Sequence, residues 1–366
     1  GGQSHPADHG LAFTLQYAVP GLVGATVLAL GALGVGWLPT GGGLADVALV
    51  DALRHTSVGI VTARASVIIG GALLLQAWLV VGGDILAGHI RDVRRLWGVL
   101  ALWIAPMLVM PPLFSRDAYS YFAQGRLLLN GVDPYTNGVA SIPGWFDAGV
   151  DPMWQNTPTP YGPLFLALAR GVTSLAGTDT GWAPYLAAIM FRLIAVAGVA
   201  VLAYYLPRLA FHHGIDGAKA LWLGVMNPLV LMHFVAGVHN DAVMVGLMVA
   251  GLCLVIEGRP VLGILLVSTA GMVKPIAFLA LPFAGLIWAG SRAGTRERVA
   301  AWAKSAAITG VALVLGTLCA IALVRGRFPG REAIATFLVS PLMLPGLVVG
   351  IANEHSIAGG CAQNGE

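Results

Sequence analysis

Apolar residues run along this chain in long unbroken stretches, and the polar residues between them gather in short knots. The stretches 12–38, 65–83, 96–114, 184–206, 220–237, 240–256, 302–324 and 334–351 each approach the ~20 residues that an α-helix needs to cross a bilayer. No stretch alternates apolar and polar positions in the way a membrane β-barrel requires. Two regions resist simple placement. The stretch 161–177, "YGPLFLALARGVTSLAG", is short and carries Arg170. The stretch 261–290 is too long for one helix and contains Val273-Lys274-Pro275, where proline prevents smooth continuation. Two short helices meeting near Lys274-Pro275 are expected there.

Composition points the same way. Of 366 residues, 57% are hydrophobic and 10% are charged, against about 25% charged in a soluble domain. Mean hydropathy is +0.80. The expected fold is an all-α polytopic transmembrane helical bundle. One domain over 1–366 is expected, because no long polar linker divides the chain. The net charge of +3 is small, and no basic patch interleaved with aromatics invites nucleic acid. Cys253, Cys319 and Cys361 are too scattered to frame a disulfide or a metal cluster.

The basic residues set the topology. Arg91, Arg94 and Arg95, then Arg208 and Lys219, then Arg259, then Arg292, Arg296, Arg298 and Lys304 mark four loops. The positive-inside tendency assigns them to the cytoplasm. Holding all four on one side requires 161–177 to be re-entrant or surface-lying, and 261–290 to go out and return. The extracytoplasmic face of a plasma membrane then receives the loop 115–183, the turn Val238–Asp241, the Lys274 elbow and the loop 325–332.

That face collects the candidate chemistry. In "SRDAYSYFAQGRLLLNGVDPY", Ser115 or Asp117 can cap a helix that runs to about Leu129 and stops at Asn130-Gly131. Asp117, Tyr121 and Gln124 would share one face of it, and Leu127 and Leu128 would dip into the acyl boundary as in an interfacial helix. Asp117 can also be read as a plain N-cap acid, and Tyr119, Tyr121 and Tyr135 as an interfacial aromatic belt. "DPY" and "TPTPYGPL" are turn chemistry. His239-Asn240-Asp241 reads either as a solvated turn or as a polar cluster held at the bilayer surface. Lys274, in an apolar stretch, must snorkel or find an anion. Arg192 poses the same problem inside 184–206, with an ion pair as the expected answer. His233 is expected to be a satisfied helix-interface histidine, and His212-His213 to be solvated. Arg116, Arg126, Lys274, Arg325, Arg327 and Arg331 give the outer side an excess of positive charge. A phosphate or pyrophosphate lipid head group would explain it. Asp117 and Asp241 are then left for a hydroxyl or a metal ion.

Taken together, "DAYSYFAQG", "NGVDPY", "YGPL", "HNDAVMVGLMVAG" and "MVKP", in this order, resemble the bacterial polyprenol-phosphate-mannose-dependent α-1,6-mannosyltransferases. These are membrane glycosyltransferases of the GT-C class. The resemblance covers roughly 96–290. It implies a GT-C bundle, an extracytoplasmic active site, a polyprenyl-phosphate mannose donor, a lipid-anchored mannan acceptor and an essential acid in the first large outer loop. Asp117 matches that acid by position, and His239, Asp241 and Lys274 match polar membrane-surface positions. Chains of the family are usually longer, and the tail "IANEHSIAGGCAQNGE" fits no pattern, which leaves open that the chain is incomplete at its C-terminal end. The implied reaction inverts the anomeric centre and needs one general base. Asp117 takes that role, with Tyr121, Gln124 and Asp241 orienting the acceptor. Lys274 and His239, helped by Arg116 or Arg126, would meet the departing phosphate. A divalent metal stays open as a cofactor. So do a polyprenyl-phosphate arabinose donor and, in a different class, a transporter or flippase of polyprenyl-linked sugars, whose helices also break near charged sites.

Overall fold

The structure is a computed structural model that describes residues 12–40, 43–178, 181–290 and 293–324. Arg325, Arg327, Arg331, Cys361 and the expected span 334–351 lie outside the described residues. The described residues fall in one compact unit, are largely helical and contain no strand.

Helix α1, Val19–Val35, continues the wide turn Thr14–Ala18. Short α2, Ala48–His55, leads into α3, Ser57–Leu86, whose start is capped by Thr56 accepting from the Gly59 amide. Helix α4, Val93–Ile104, tightens into a 3₁₀ turn at Ala105–Val109. Helix α5 is Asp117–Leu129 and α6 is Pro163–Ala176. Long α7, Ala183–His212, is followed by α8, Gly217–Gly224, and α9, Pro228–Ala236, which ends in a wide π-type turn. Helices α10, Asp241–Ile256, and α11, Pro260–Val273, precede a 3₁₀ turn at Pro275–Ala280, α12, Leu281–Ala289, and α13, Thr295–Val324.

Four of these elements are long and apolar enough to cross a membrane: Thr14–Val35, Ser57–Leu86, Ala183–His212 and Thr295–Leu315. The pair α8 and α9, bent by 47°, makes a fifth if counted as one span. The expected span 96–114 is shorter in the structure, with α4 and its 3₁₀ turn ending at Val109 ahead of Pro111-Pro112. The expected stretch 240–256 forms α10, Asp241–Ile256, an apolar helix of 16 residues that ends just before Gly258 at φ +80°. The stretch 161–177 forms the 14-residue α6, shorter than a span, and 261–290 breaks at Lys274. Close helix packing uses small residues, as in membrane bundles generally. A Cβ on Gly251 would stand 2.6 Å from the Gly263 carbonyl oxygen, so the backbones of α10 and α11 touch there.

Helix α5 departs from the expected interfacial placement. Residues 118–125 are all buried, as is Leu127. The aromatic side chains explain it: the Tyr121 ring packs edge-on against Tyr161, Phe165 and Phe191 at centroid distances of 5.3, 4.7 and 5.5 Å. The helix is thus enclosed by α6, α7 and the loop before α6 rather than laid on a surface. Gly125 makes this possible, since a Cβ there would fall 2.5 Å from the Ala169 carbonyl oxygen.

The two ends of the bundle differ. Arg208, near the end of α7, grips Glu257, just past α10, with both oxygens within 2.8 Å of Nη2. Gly217 opens α8 against Pro207 of α7 and Val93 of α4. Arg94, Arg95, Arg208, Lys219 and Arg259 therefore share one end. Helix α10 starts at Asp241, 16 residues and about 24 Å away along its axis.

Candidate active site

The polar knots meet at that second end. Ser115 Oγ accepts from the Asp117 amide at 3.0 Å, which starts α5 and puts the Asp117 carboxylate in its first turn. His239 Nδ1 lies 3.1 Å from Asp117 Oδ2, with the two side chains 14% and 29% exposed. The Tyr121 hydroxyl, one turn along α5, donates to the same oxygen at 3.5 Å and accepts from the Asn240 amide at 3.4 Å. Lys274 Nζ donates to Asp241 Oδ1 and Oδ2 at 2.8 and 3.0 Å, and stands 5.9 Å from the centre of the Tyr161 ring. Lys274 thus has its anion, in Asp241 at the start of the next-door helix.

Backbone breaks aim these groups. Phe114, three residues before Asp117, and Val238, directly before His239, both have positive φ, at 67° and 59°. Bulky residues in the left-handed region are strained and persist only where their surroundings hold them. The Leu113 amide donates to the Ala236 carbonyl at 3.0 Å, so the two elbows are joined. Lys274 is in extended backbone between α11 and the following 3₁₀ turn. The Gly162 amide donates to the Val273 carbonyl at 2.9 Å, and a Cβ on Gly162 would collide with the Met272 backbone. The Tyr135 hydroxyl donates to the Tyr161 carbonyl at 3.0 Å. "DPY" and "YGPL" together hold Tyr161 against Lys274.

The electrostatics follow from these contacts. Burial opposes the charge on Asp117, but the hydrogen bond and charge of His239, Ser115 and Lys274 outweigh it, so the carboxyl titrates below its ordinary range. Burial first, then Tyr161 and Asp117, push the Tyr121 hydroxyl well above the ordinary tyrosine value. It therefore stays protonated and donates. Tyr161 is raised in the same direction, chiefly by burial.

Other expected residues sit elsewhere. Gln124 is buried and accepts from Thr159 Oγ1 at 3.1 Å, which ties α5 to the loop before α6. Arg126 lies nine residues, about 13 Å, along α5 from Asp117 and donates to the Pro143 carbonyl at 3.1 Å. The Arg116 guanidinium lies 3.6 Å over the Trp37 ring, next in sequence to Asp117. His233 is not a helix-interface histidine: it is exposed and stacks on His239 at 4.0 Å between centroids, because the π-type turn rotates it out of the bundle. His212 and His213 are exposed, as expected, and His212 also lies 3.6 Å from Glu257. Arg192 has no carboxylate partner among the described residues, contrary to the expected ion pair. It donates to the Val235 and Leu108 carbonyls, each at 3.0 Å. Tyr161 and His233 join the site without having been assigned to it from the sequence, and Asn240 enters through its backbone amide.

Two groups of side chains have the donors for a metal ion: His233, His239 and Asp241 here, and His212, Cys253 and Glu257 at the opposite end. Neither fits as folded. In the first, Lys274 holds both Asp241 oxygens, so that carboxylate is already committed to the ammonium. At the other end Arg208 holds Glu257.

Comparison with known proteins gives the family. The family described as "Alpha-(1->6)-mannopyranosyltransferase, N-terminal domain" matches residues 18–290, which include every residue of the site. The chain belongs to this mannopyranosyltransferase family. It is 40% identical over 268 residues to alpha-(1->6)-mannopyranosyltransferase A of Mycobacterium tuberculosis, covering 73% of this chain and 51% of that one. Alpha-(1->6)-mannopyranosyltransferase A of Corynebacterium glutamicum is 36% identical over 232 residues, 61% of this chain and 46% of its own. The same organism's alpha-(1->6)-mannopyranosyltransferase B is 29% identical over 352 residues, 86% and 56% of the two chains. The chain thus spans about half the length of these curated relatives. No solved structure matches it.

Proposed function

We propose that this chain carries the catalytic centre of an inverting mannosyltransferase that moves mannose from a polyprenyl-phosphate donor to the hydroxyl of a mannan or glycolipid acceptor, forming α-1,6 links. The observation that supports it is the convergence of Asp117, His239 and the Asp241–Lys274 pair, from three separate stretches of chain, at one end of an apolar bundle. The relatives' names supply the sugar and the linkage. The basic residues gathered at the opposite end support a site on the extracytoplasmic side of the plasma membrane, by the positive-inside tendency.

In this reading the acceptor hydroxyl attacks the anomeric carbon from the face opposite the phosphate. Its proton passes to Asp117, and the bond from the anomeric carbon to the phosphate oxygen breaks with its electron pair on polyprenyl phosphate. The Nδ1–H of His239 and the Tyr121 hydroxyl hold the Asp117 carboxylate in place. Lys274, with one N–H beyond the two given to Asp241, meets the charge growing on the phosphate, the kind of pre-set electrostatic stabilisation that counts most in such sites. Arg116 is the nearest second cation along the chain. Asp241 acts by fixing Lys274. The ammonium takes the place a divalent ion would fill, so the reaction runs without a metal.

The bend between α8 and α9 also suits a transporter, and one experiment separates the two. Purified protein in detergent is given polyprenyl-phosphate mannose and a short α-linked mannoside. Transfer without two compartments supports the enzyme; its absence, with vectorial movement of the lipid in vesicles, overturns it.

A further inference from the structure

Arg192 is fully buried in the middle of α7 and has no acidic partner among the described residues. A buried charge without a counter-ion is costly, and an apolar residue of like volume often serves a bundle better. What Arg192 touches explains its place. Leu108 lies in the 3₁₀ turn that ends α4, and the residues three and four further on are Pro111 and Pro112, which have no N–H to give its carbonyl. Arg192 Nη1 donates to that carbonyl at 3.0 Å instead. The next carbonyl, Val109, would look to Pro112 or Leu113, but the Leu113 amide is taken by Ala236, and the Tyr185 hydroxyl donates to Val109 in its stead. Tyr185 and Arg192 stand seven residues apart, two turns, on one face of α7. From the other side, Arg192 Nε donates at 3.0 Å to Val235, in the turn that leads to Val238 and His239.

One guanidinium therefore holds two chain breaks, six residues before the strained elbow at Phe114 and three before the one at Val238. We infer that Arg192, assisted by Tyr185, is a positioning residue that fixes the spacing of Asp117 and His239 by replacing the hydrogen-bond donors that Pro111 and Pro112 remove. It acts through backbone and touches no substrate. The inference rests on the mannosyl-transfer reading for its kinetic test, and on geometry alone for its second test.

Arg192→Lys, which can reach one carbonyl but not both, and Arg192→Met are compared with wild type and with Tyr185→Phe. Displacement of a base by about 1 Å costs up to ~100-fold. The expected kcat loss is about 10- to 100-fold in Arg192→Met, less in Arg192→Lys and least in Tyr185→Phe, with donor KM nearly unchanged because Lys274 is carried by another segment. The acid limb of kcat/KM should rise in Arg192→Met, since the groups facing Asp117 are Ser115, Tyr121, His239 and Lys274, and His239 would draw away. Unchanged kcat and acid limb, or a raised KM with kcat intact, overturns the inference. Hydrogen exchange followed by mass spectrometry tests the clamp independently of activity. Faster exchange confined to peptides covering 106–116 and 232–240 supports it, even if Asp117→Asn proves active and the catalytic reading fails. Faster exchange across the whole chain, or none anywhere, overturns it.

Discussion

Replacing Lys274 by Met should separate donor binding from the rest of the site. Lys274 and Asp241 are 31% and 21% exposed, between the surface pairs that contribute at most about 1 kcal/mol and the buried pairs whose disruption costs about 3–5 kcal/mol. Breaking this one should cost about 1–3 kcal/mol of stability, whichever partner is removed. The functional effects should differ. A hydrogen bond to a charged group contributes about 1.5–3 kcal/mol, so Lys274→Met should weaken donor-lipid binding by roughly 10- to 100-fold at 1.4 kcal/mol per decade. Asp241→Asn keeps the ammonium and should leave donor binding within a few-fold of wild type. The double variant should bind donor no worse than Lys274→Met. Isothermal calorimetry in detergent with polyprenyl phosphate, and separately with a soluble mannoside acceptor, measures both. Equal loss of donor and acceptor affinity in Lys274→Met, or unaltered donor affinity, would refute the assignment of Lys274 to the phosphate.

Three further outcomes follow from named contacts. Because the Asp117 carboxyl titrates below its ordinary range, the base stays ionised through neutral and mildly acid pH; kcat/KM should hold on the acid side through the range where an ordinary aspartate protonates and fall only below it. His239→Gln removes a hydrogen bond and charge that oppose burial, so the fall should begin at higher pH, and a pH profile with no such displacement counts against the Asp117–His239 pairing. Gly125→Ala drives a methyl into Thr173 and the Ala169 backbone and should cost about 1–3 kcal/mol, read as a lowered melting temperature in detergent with reduced transfer. Transfer should survive EDTA, and a requirement for added Mg²⁺ or Mn²⁺ would show that Lys274 does not fill the cation's place.

Local signals in the sequence were the most legible. The start and stop of α5 follow from Ser115 and Asn130-Gly131, with Asp117 in the first turn rather than capping it, and the break at Lys274 follows from Pro275, because each needs only its own neighbours. The need of Lys274 for an anion could be read, but not that Asp241, 33 residues away, supplies it. The burial of α5 was hidden because its aromatic residues suit a bilayer interface as well as a protein interior; only Phe165 and Phe191, from other helices, decide. Gln124 shares a helix with Asp117, yet its distance along the axis and Thr159 take it elsewhere. For Arg192 the signal was in the chain at Pro111-Pro112, whose missing donors leave carbonyls for a side chain to serve. The π-type turn on which the exposed His233 lies has no sequence signature of its own.

The central claim is that Asp117 takes the acceptor's proton, held by His239 beside Lys274. Single-turnover transfer by purified Asp117→Asn, at saturating donor and acceptor, tests it most directly. Asparagine keeps the size of the side chain and an oxygen for His239, so donor binding and melting temperature should stay close to wild type. The rate should fall about 100- to 10,000-fold, the range for loss of a general base. A rate within a few-fold of wild type would contradict the account.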